Sequence, residues 1–80
     1  MEMQARTRLH KRFCERLRAM REAEGLTQRE MAQKLDISQP AYAAIENGHH
    51  APNLNTLDNL ARVFKVEPAD FLSEREPAAA

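Results

Sequence analysis

A chain of 80 residues can bury only a modest core, which excludes two independent domains and predicts one small unit. One cysteine, Cys14, excludes an internal disulfide and fits a reducing compartment. No apolar run approaches the roughly 18 to 20 residues of a membrane span and no secretory h-region follows the charged N-terminus, so a soluble, cytoplasmic chain without a membrane partner is expected. The formal net charge of zero argues at first against a polyanionic partner. Its distribution argues the other way: residues 1–34 carry nine Lys/Arg against five Asp/Glu, and residues 35–80 carry three against seven. Basic charge concentrated in one half of a neutral chain can still form a local positive surface.

Good helix formers dominate and strand formers are sparse, which predicts an all-α chain. Leu9, Phe13, Leu17 and Met20 recur at helical spacing with charged residues between them, giving an amphipathic first helix that Gly25 stops. Its start is open. Thr7 can cap it, or residues 1–10 form a basic arm that joins the helix near Lys11. In "LTQREMAQKL" Thr27 precedes Glu30 by three residues, a capping box that starts a second helix over Gln28 to about Leu35, with Met31, Ala32 and Leu35 inward.

Asp36 stands where the chain must turn, being a residue type that tolerates the left-handed conformation, and Ile37 is expected to tuck inward. Ser38 is an N-cap and Pro40 falls in a first turn, so "SQPAYAAIENG" reads as a third helix ended by Gly48. Tyr42 and Ile45 face the core, with Gln39, Pro40, Ala43, Ala44 and Asn47 on the other side. "HHAPN" is a loop ending in the cap candidate Asn53. Leu54, Leu57, Leu60, Ala61 and Phe64 form the stripe of a fourth helix. Pro68 suits the start of a short fifth helix with Phe71 and Leu72. Residues 11–73 are then the folded domain and residues 74–80 a disordered tail.

Two helices joined by about three residues form a helix-turn-helix arrangement, whose second helix can enter the DNA major groove. The blocks "GLTQREMAQKL", "ISQ", "IENG", "PNLNTL" and "FKVEPADFL", all in register, resemble the Cro and phage-repressor type helix-turn-helix family, also called the xenobiotic-response-element or Xre family. The likeness covers Phe13 to Leu72. It implies a five-helix, lambda-repressor-like fold and double-stranded DNA as the partner.

Residue by residue, the resemblance implies that Gln39 leads base reading, as a glutamine can be bidentate to adenine N6 and N7. Pro40, Ala41, Ala43 and Ala44 occupy positions that usually carry Ser, Thr, Lys or Arg, and here offer only apolar contact, for instance with thymine methyls. Gln28 matches a position that contacts phosphate and braces the first residue of the reading helix. Thr27, Arg29, Ser38 and Asn53 at helix starts, and Asn47, His49 and His50 at the end of helix three, complete the phosphate candidates. The amides of Asn47 and Gly48 are expected to approach phosphate. Arg21 and Glu46 match a pair that ties helix one to helix three in some relatives.

Because helix three carries no Lys or Arg, positive charge must come from elsewhere. Arg6, Arg8, Lys11 and Arg12 form the expected basic arm, and Arg16, Arg18, Arg21, Arg29 and Lys34 are further candidates. Cys14, His10, His49 and His50 have no ligand spacing, so no metal and no cofactor are expected. No nucleophile with a base and an orienting partner is visible, so an enzyme is not expected. The reading is a homodimeric transcriptional repressor on a palindromic operator, with Phe64, Val66, Phe71 and Leu72 as dimer candidates. Its rival is an antitoxin-like or anti-repressor module whose main partner is another protein, such as a toxin.

Overall fold

The computed structural model describes Ala5 and residues 7–73. Among these are four α-helices, α1 (Arg8–Ala23), α2 (Gln28–Leu35), α3 (Gln39–Glu46) and α4 (Leu54–Phe64), and a 3-10 turn at Pro68–Phe71. The fold is all-α as expected, but a single 3-10 turn stands where a fifth α-helix was predicted. Pro68 starts it, and the Asp70 side chain accepts from the Glu67 amide at 3.0 Å, closing four residues into a turn.

Local chemistry sets each boundary. Thr7 caps α1 by accepting from the His10 amide at 3.0 Å. Arg8, Lys11 and Arg12 are therefore helical, the capped-helix alternative rather than a basic arm; Arg6 lies outside the described residues. Gly25, at φ 70°, takes the left-handed conformation that ends α1. The capping box of α2 forms in both directions, 2.8 Å from the Thr27 amide to Glu30 Oε1 and 3.1 Å from the Glu30 amide to Thr27 Oγ1. Asp36 adopts φ 58°, ψ 45°, and Ser38 Oγ accepts from the Ala41 amide at 3.2 Å. Only Asp36, Ile37 and Ser38 separate α2 from α3.

The core consists mainly of Phe13, Leu17, Met31, Tyr42, Leu60 and Phe71, each no more than 1% exposed, with Cys14 and the small residues Ala32 and Ala61 between them. Phe71 stacks its ring 5.9 Å from Phe13 and 6.0 Å from Phe64, distances at which tilted aromatic pairs attract. The 3-10 turn thus plugs the bundle, and Arg16 Nε secures it by donating to the Asp70 carbonyl at 2.7 Å. Phe71 consequently has no surface to offer a dimer partner, while Phe64, Val66 and Leu72 are half-buried against the core.

Three apolar residues expected inside lie outside: Leu9, Ile37 and Leu54. Leu9 and Leu54 sit in the first turns of α1 and α4, where helical period selects a face but no neighbouring element covers it, and Ile37 lies in the turn between α2 and α3. Ile37 is held by its backbone, its amide donating to the Ala32 carbonyl at 3.0 Å, and it remains 37% exposed.

Candidate nucleic-acid interface

The start of α3 is open. Gln39, Pro40 and Ala41 are exposed, and Ala43 and Ala44 are half-buried. A carboxamide at the first helical residue, with no bulky neighbour beside it, can approach a base edge closely. Ala41 and Ala44, with His50 of the loop, the cap residue Asn53 and Thr56 of α4, line a depression of about 250 Å³. Small side chains here make room for a backbone or a methyl group where long ones would fill it.

The end of α3 is closed. Glu46 is fully buried, with its carboxylate accepting from five donors. Arg21 grips it in a fork, Nε to Oε2 at 2.8 Å and Nη2 to Oε1 at 2.9 Å. The Tyr42 hydroxyl donates to Oε2 at 2.7 Å, Gln28 Nε2 to Oε1 at 3.2 Å, and Arg18 Nε to Oε1 at 3.4 Å. Arg21 also donates to the Leu26 carbonyl at 2.8 Å. One carboxylate therefore ties α3 to α1, to the start of α2 and to the turn between them.

The electrostatics follow from that geometry. Burial raises the Glu46 pKa, but the hydrogen bonds from Arg21, Tyr42 and Gln28 outweigh it, and the carboxyl is held below its ordinary value. Desolvation and the hydrogen bond to Glu46 push the Tyr42 phenol far above its own. The hydrogen bond to Glu46 likewise raises Arg21. The cluster is thus an ionised carboxylate, a neutral phenol and two guanidiniums. Two positive charges against one negative leave a surplus at the end of α3, although that helix has no basic residue of its own. Arg18 carries it outward: its side chain is 41% exposed, and its Nη2 donates to Asn47 Oδ1 at 3.3 Å.

Several site candidates find other work. Gln28 donates to Glu46 and so braces the far end of α3, not Gln39. The amides of Asn47, Gly48 and His49 donate to the carbonyls of Ala43, Ile45 and Ala44 at 2.9, 3.3 and 2.9 Å, which removes them as phosphate donors. Gly48 is buried, and a Cβ there would lie 2.5 Å from the Ala5 nitrogen, so glycine is required both by φ 84° and by this backbone crossing. Arg16 is buried on the 3-10 turn. Thr27, Arg29, Ser38, His49, His50 and Asn53 are exposed around α3. The caps engage the acceptor oxygens of Thr27, Ser38 and Asn53, whereas a phosphate would take their donor hydrogens.

A helix pair joined by three residues, its second helix open at the start and anchored at the end, matches a known family over residues 17–71. The chain belongs to the helix-turn-helix family HTH_3. Within this family it is 41% identical over 64 residues to an uncharacterised HTH-type transcriptional regulator, YqaE, of Bacillus subtilis strain 168, a match covering 80% of this chain and 54% of that protein. It is 31% identical to the cryptic phage CTXphi transcriptional repressor RstR of Vibrio cholerae, over 80% of this chain and 58% of the relative. The chain thus spans about half the length of the curated relatives it matches. The crystal structure of the clp gene regulator ClgR from C. glutamicum shares the fold, with a TM-score of 0.74 at 24% identity over 84% of this chain and 87% of that one. Among the described residues no helix is long and apolar enough to cross a membrane, and no group of His, Cys, Asp or Glu could hold a metal ion.

Proposed function

We propose that this chain binds double-stranded DNA in a sequence-specific manner through α3 and regulates transcription as a homodimer, most simply as a repressor that occludes a promoter. The observation that carries this reading is the asymmetry of α3: Gln39 stands exposed at one end while five donors on Glu46 fix the other. A reading helix must present its bases-facing side chains at a set angle, and a positioned helix with a free polar start supplies that. Gln39 reads adenine, and the alanines admit thymine methyls and close approach. Arg18 and Arg29 supply positive charge beside α3, with His49 and His50 at its end. One strong polar reader per molecule gives little specificity alone, so two copies on an imperfect palindrome, with half-sites about one helical turn apart, are required. Such a regulator works in the cytoplasm, at the nucleoid.

Titration of labelled duplexes over a range of salt concentrations tests this reading. Affinity should fall linearly with salt on a double-logarithmic plot, by roughly 0.9 per phosphate neutralised. Absence of salt-sensitive binding to any duplex would sink it in favour of a protein partner.

A further inference from the structure

Between Lys34 and Arg62 the sequence has no Lys or Arg, a stretch that holds all of α3, the loop after it and most of α4. The side chains there that can become cationic are His49 and His50. Both are exposed, and both stand on a fixed backbone: their amides donate to the Ala44 carbonyl at 2.9 and 3.3 Å, and the Gly48 before them is buried against Ala5. His50 lines the depression that Ala41 and Ala44 open beside α3. Among the described residues neither imidazole is engaged in a hydrogen bond or an ion pair. Histidine is the side chain whose charge ordinarily changes between about pH 5 and 8.

We propose that His49 and His50 couple DNA binding to proton uptake, so that the chain holds a duplex more tightly as the medium acidifies from about pH 8 to about pH 6. The inference rests on the proposed DNA reading and adds a regulation to it. A phosphate beside an imidazole favours the charged ring. The complex then binds more protons than the free chain, and by linkage affinity rises as pH falls through the range in which the ring titrates. Each imidazolium that meets phosphate also releases a counterion, so the salt dependence steepens along with the affinity. The other groups at this end of α3 keep their charge over that range. Hydrogen bonds hold the Glu46 carboxyl below its ordinary value, burial pushes the Tyr42 phenol far above its own, and the guanidiniums of Arg18 and Arg21 stay protonated. From α1 the Cys14 thiol reaches the Ile45 carbonyl at 3.5 Å, and burial pushes it up. Asn53 and Thr56, which line the depression from the α4 side, do not titrate. His10 of α1 shares a groove with Ala51 and Pro52; it is the third histidine of the chain, and any test must leave it in place.

The test is fluorescence anisotropy of a labelled mixed-sequence duplex titrated with the full chain at about pH 6, 7 and 8, each over a range of salt concentrations. Wild type is compared with the double variants His49→Gln, His50→Gln and His49→Arg, His50→Arg. Both side chains are exposed, so the variants should fold, which circular-dichroism melts check. The wild type should gain about fivefold in affinity from pH 8 to pH 6 for each imidazole that meets phosphate. Its double-logarithmic salt slope should steepen by up to roughly 0.9 per imidazole over the same change. The glutamine variant should lose the gain and the steepening, and the arginine variant should show the steeper slope at every pH. Equal pH dependence in the wild type and the glutamine variant would overturn the inference while leaving the DNA reading intact, because the proton uptake would then belong to His10 or another group. A gain in affinity with no change in salt slope would overturn it as well. Absence of salt-sensitive binding by all three proteins at every pH would overturn both readings together.

Discussion

The two ends of α3 are built on opposite principles. At its end, Glu46 is buried and held by donors from α1, α2 and α3 itself; at its start, the Ser38 cap is the side-chain hydrogen bond that holds Gln39, Pro40 and Ala41, all exposed. The hydrogen bonds that fix α3 are thus concentrated at its end, and the residues proposed to meet DNA stand where few contacts depend on them. Substitutions at the two ends should separate folding from recognition.

The largest effect is expected from Glu46→Ala, which leaves Arg21 and Arg18 facing each other without their counter-charge. Removing one partner of a buried pair costs about 3 to 5 kcal/mol, most of the stability of a domain this small, and should appear as a collapsed thermal midpoint. Acid probes the same group without mutation. The folded pKa of Glu46 lies below its unfolded value, so its contribution is present above roughly pH 4.3 and is lost as pH falls through the folded pKa. Urea melts of wild type and Glu46→Gln should therefore converge as pH falls below about 4; parallel profiles would show that Glu46 is not ionised in the fold. Tyr42→Phe removes one donor to a charged acceptor and should cost about 1.5 to 3 kcal/mol. At the open end Ser38→Ala should cost about 1 kcal/mol, a lost N-cap. Gln39→Ala should change stability by less than about 0.5 kcal/mol and lower discrimination between duplexes by about 1 to 3 kcal/mol. A Gln39→Ala protein as destabilised as Tyr42→Phe would erase the contrast.

The open end was legible from sequence and the closed end only partly so. Thr27 with Glu30, Asp36, and Ser38 with Pro40 are local signals, each acting within four residues, and they set α2, the turn and the start of α3 where they were expected. Arg21 and Glu46 came from family likeness, 25 residues apart. Nothing in the spacing joins Arg18, Gln28 or Tyr42 to the same carboxylate, because such a hub depends on how three helices cross. Two leucines were misplaced for a related reason: Leu9 and Leu54 keep helical period but stand in first turns, beyond the reach of the packed elements. Lys65, left-handed at φ 59°, carries no local signal at all, unlike Asp36. Gly48 was legible as a helix stop, but its crossing with Ala5 was not.

The central claim is that α3 reads DNA from its open end through Gln39. Selection of bound duplexes from a random pool, run in parallel with wild type and Gln39→Ala, tests it most directly. The account predicts that the wild type enriches an imperfect palindrome with half-sites about one turn apart, and that Gln39→Ala still binds but loses its preference, above all for adenine, at one position in each half-site. Enrichment of the same sequence by both proteins, or by neither, would contradict it.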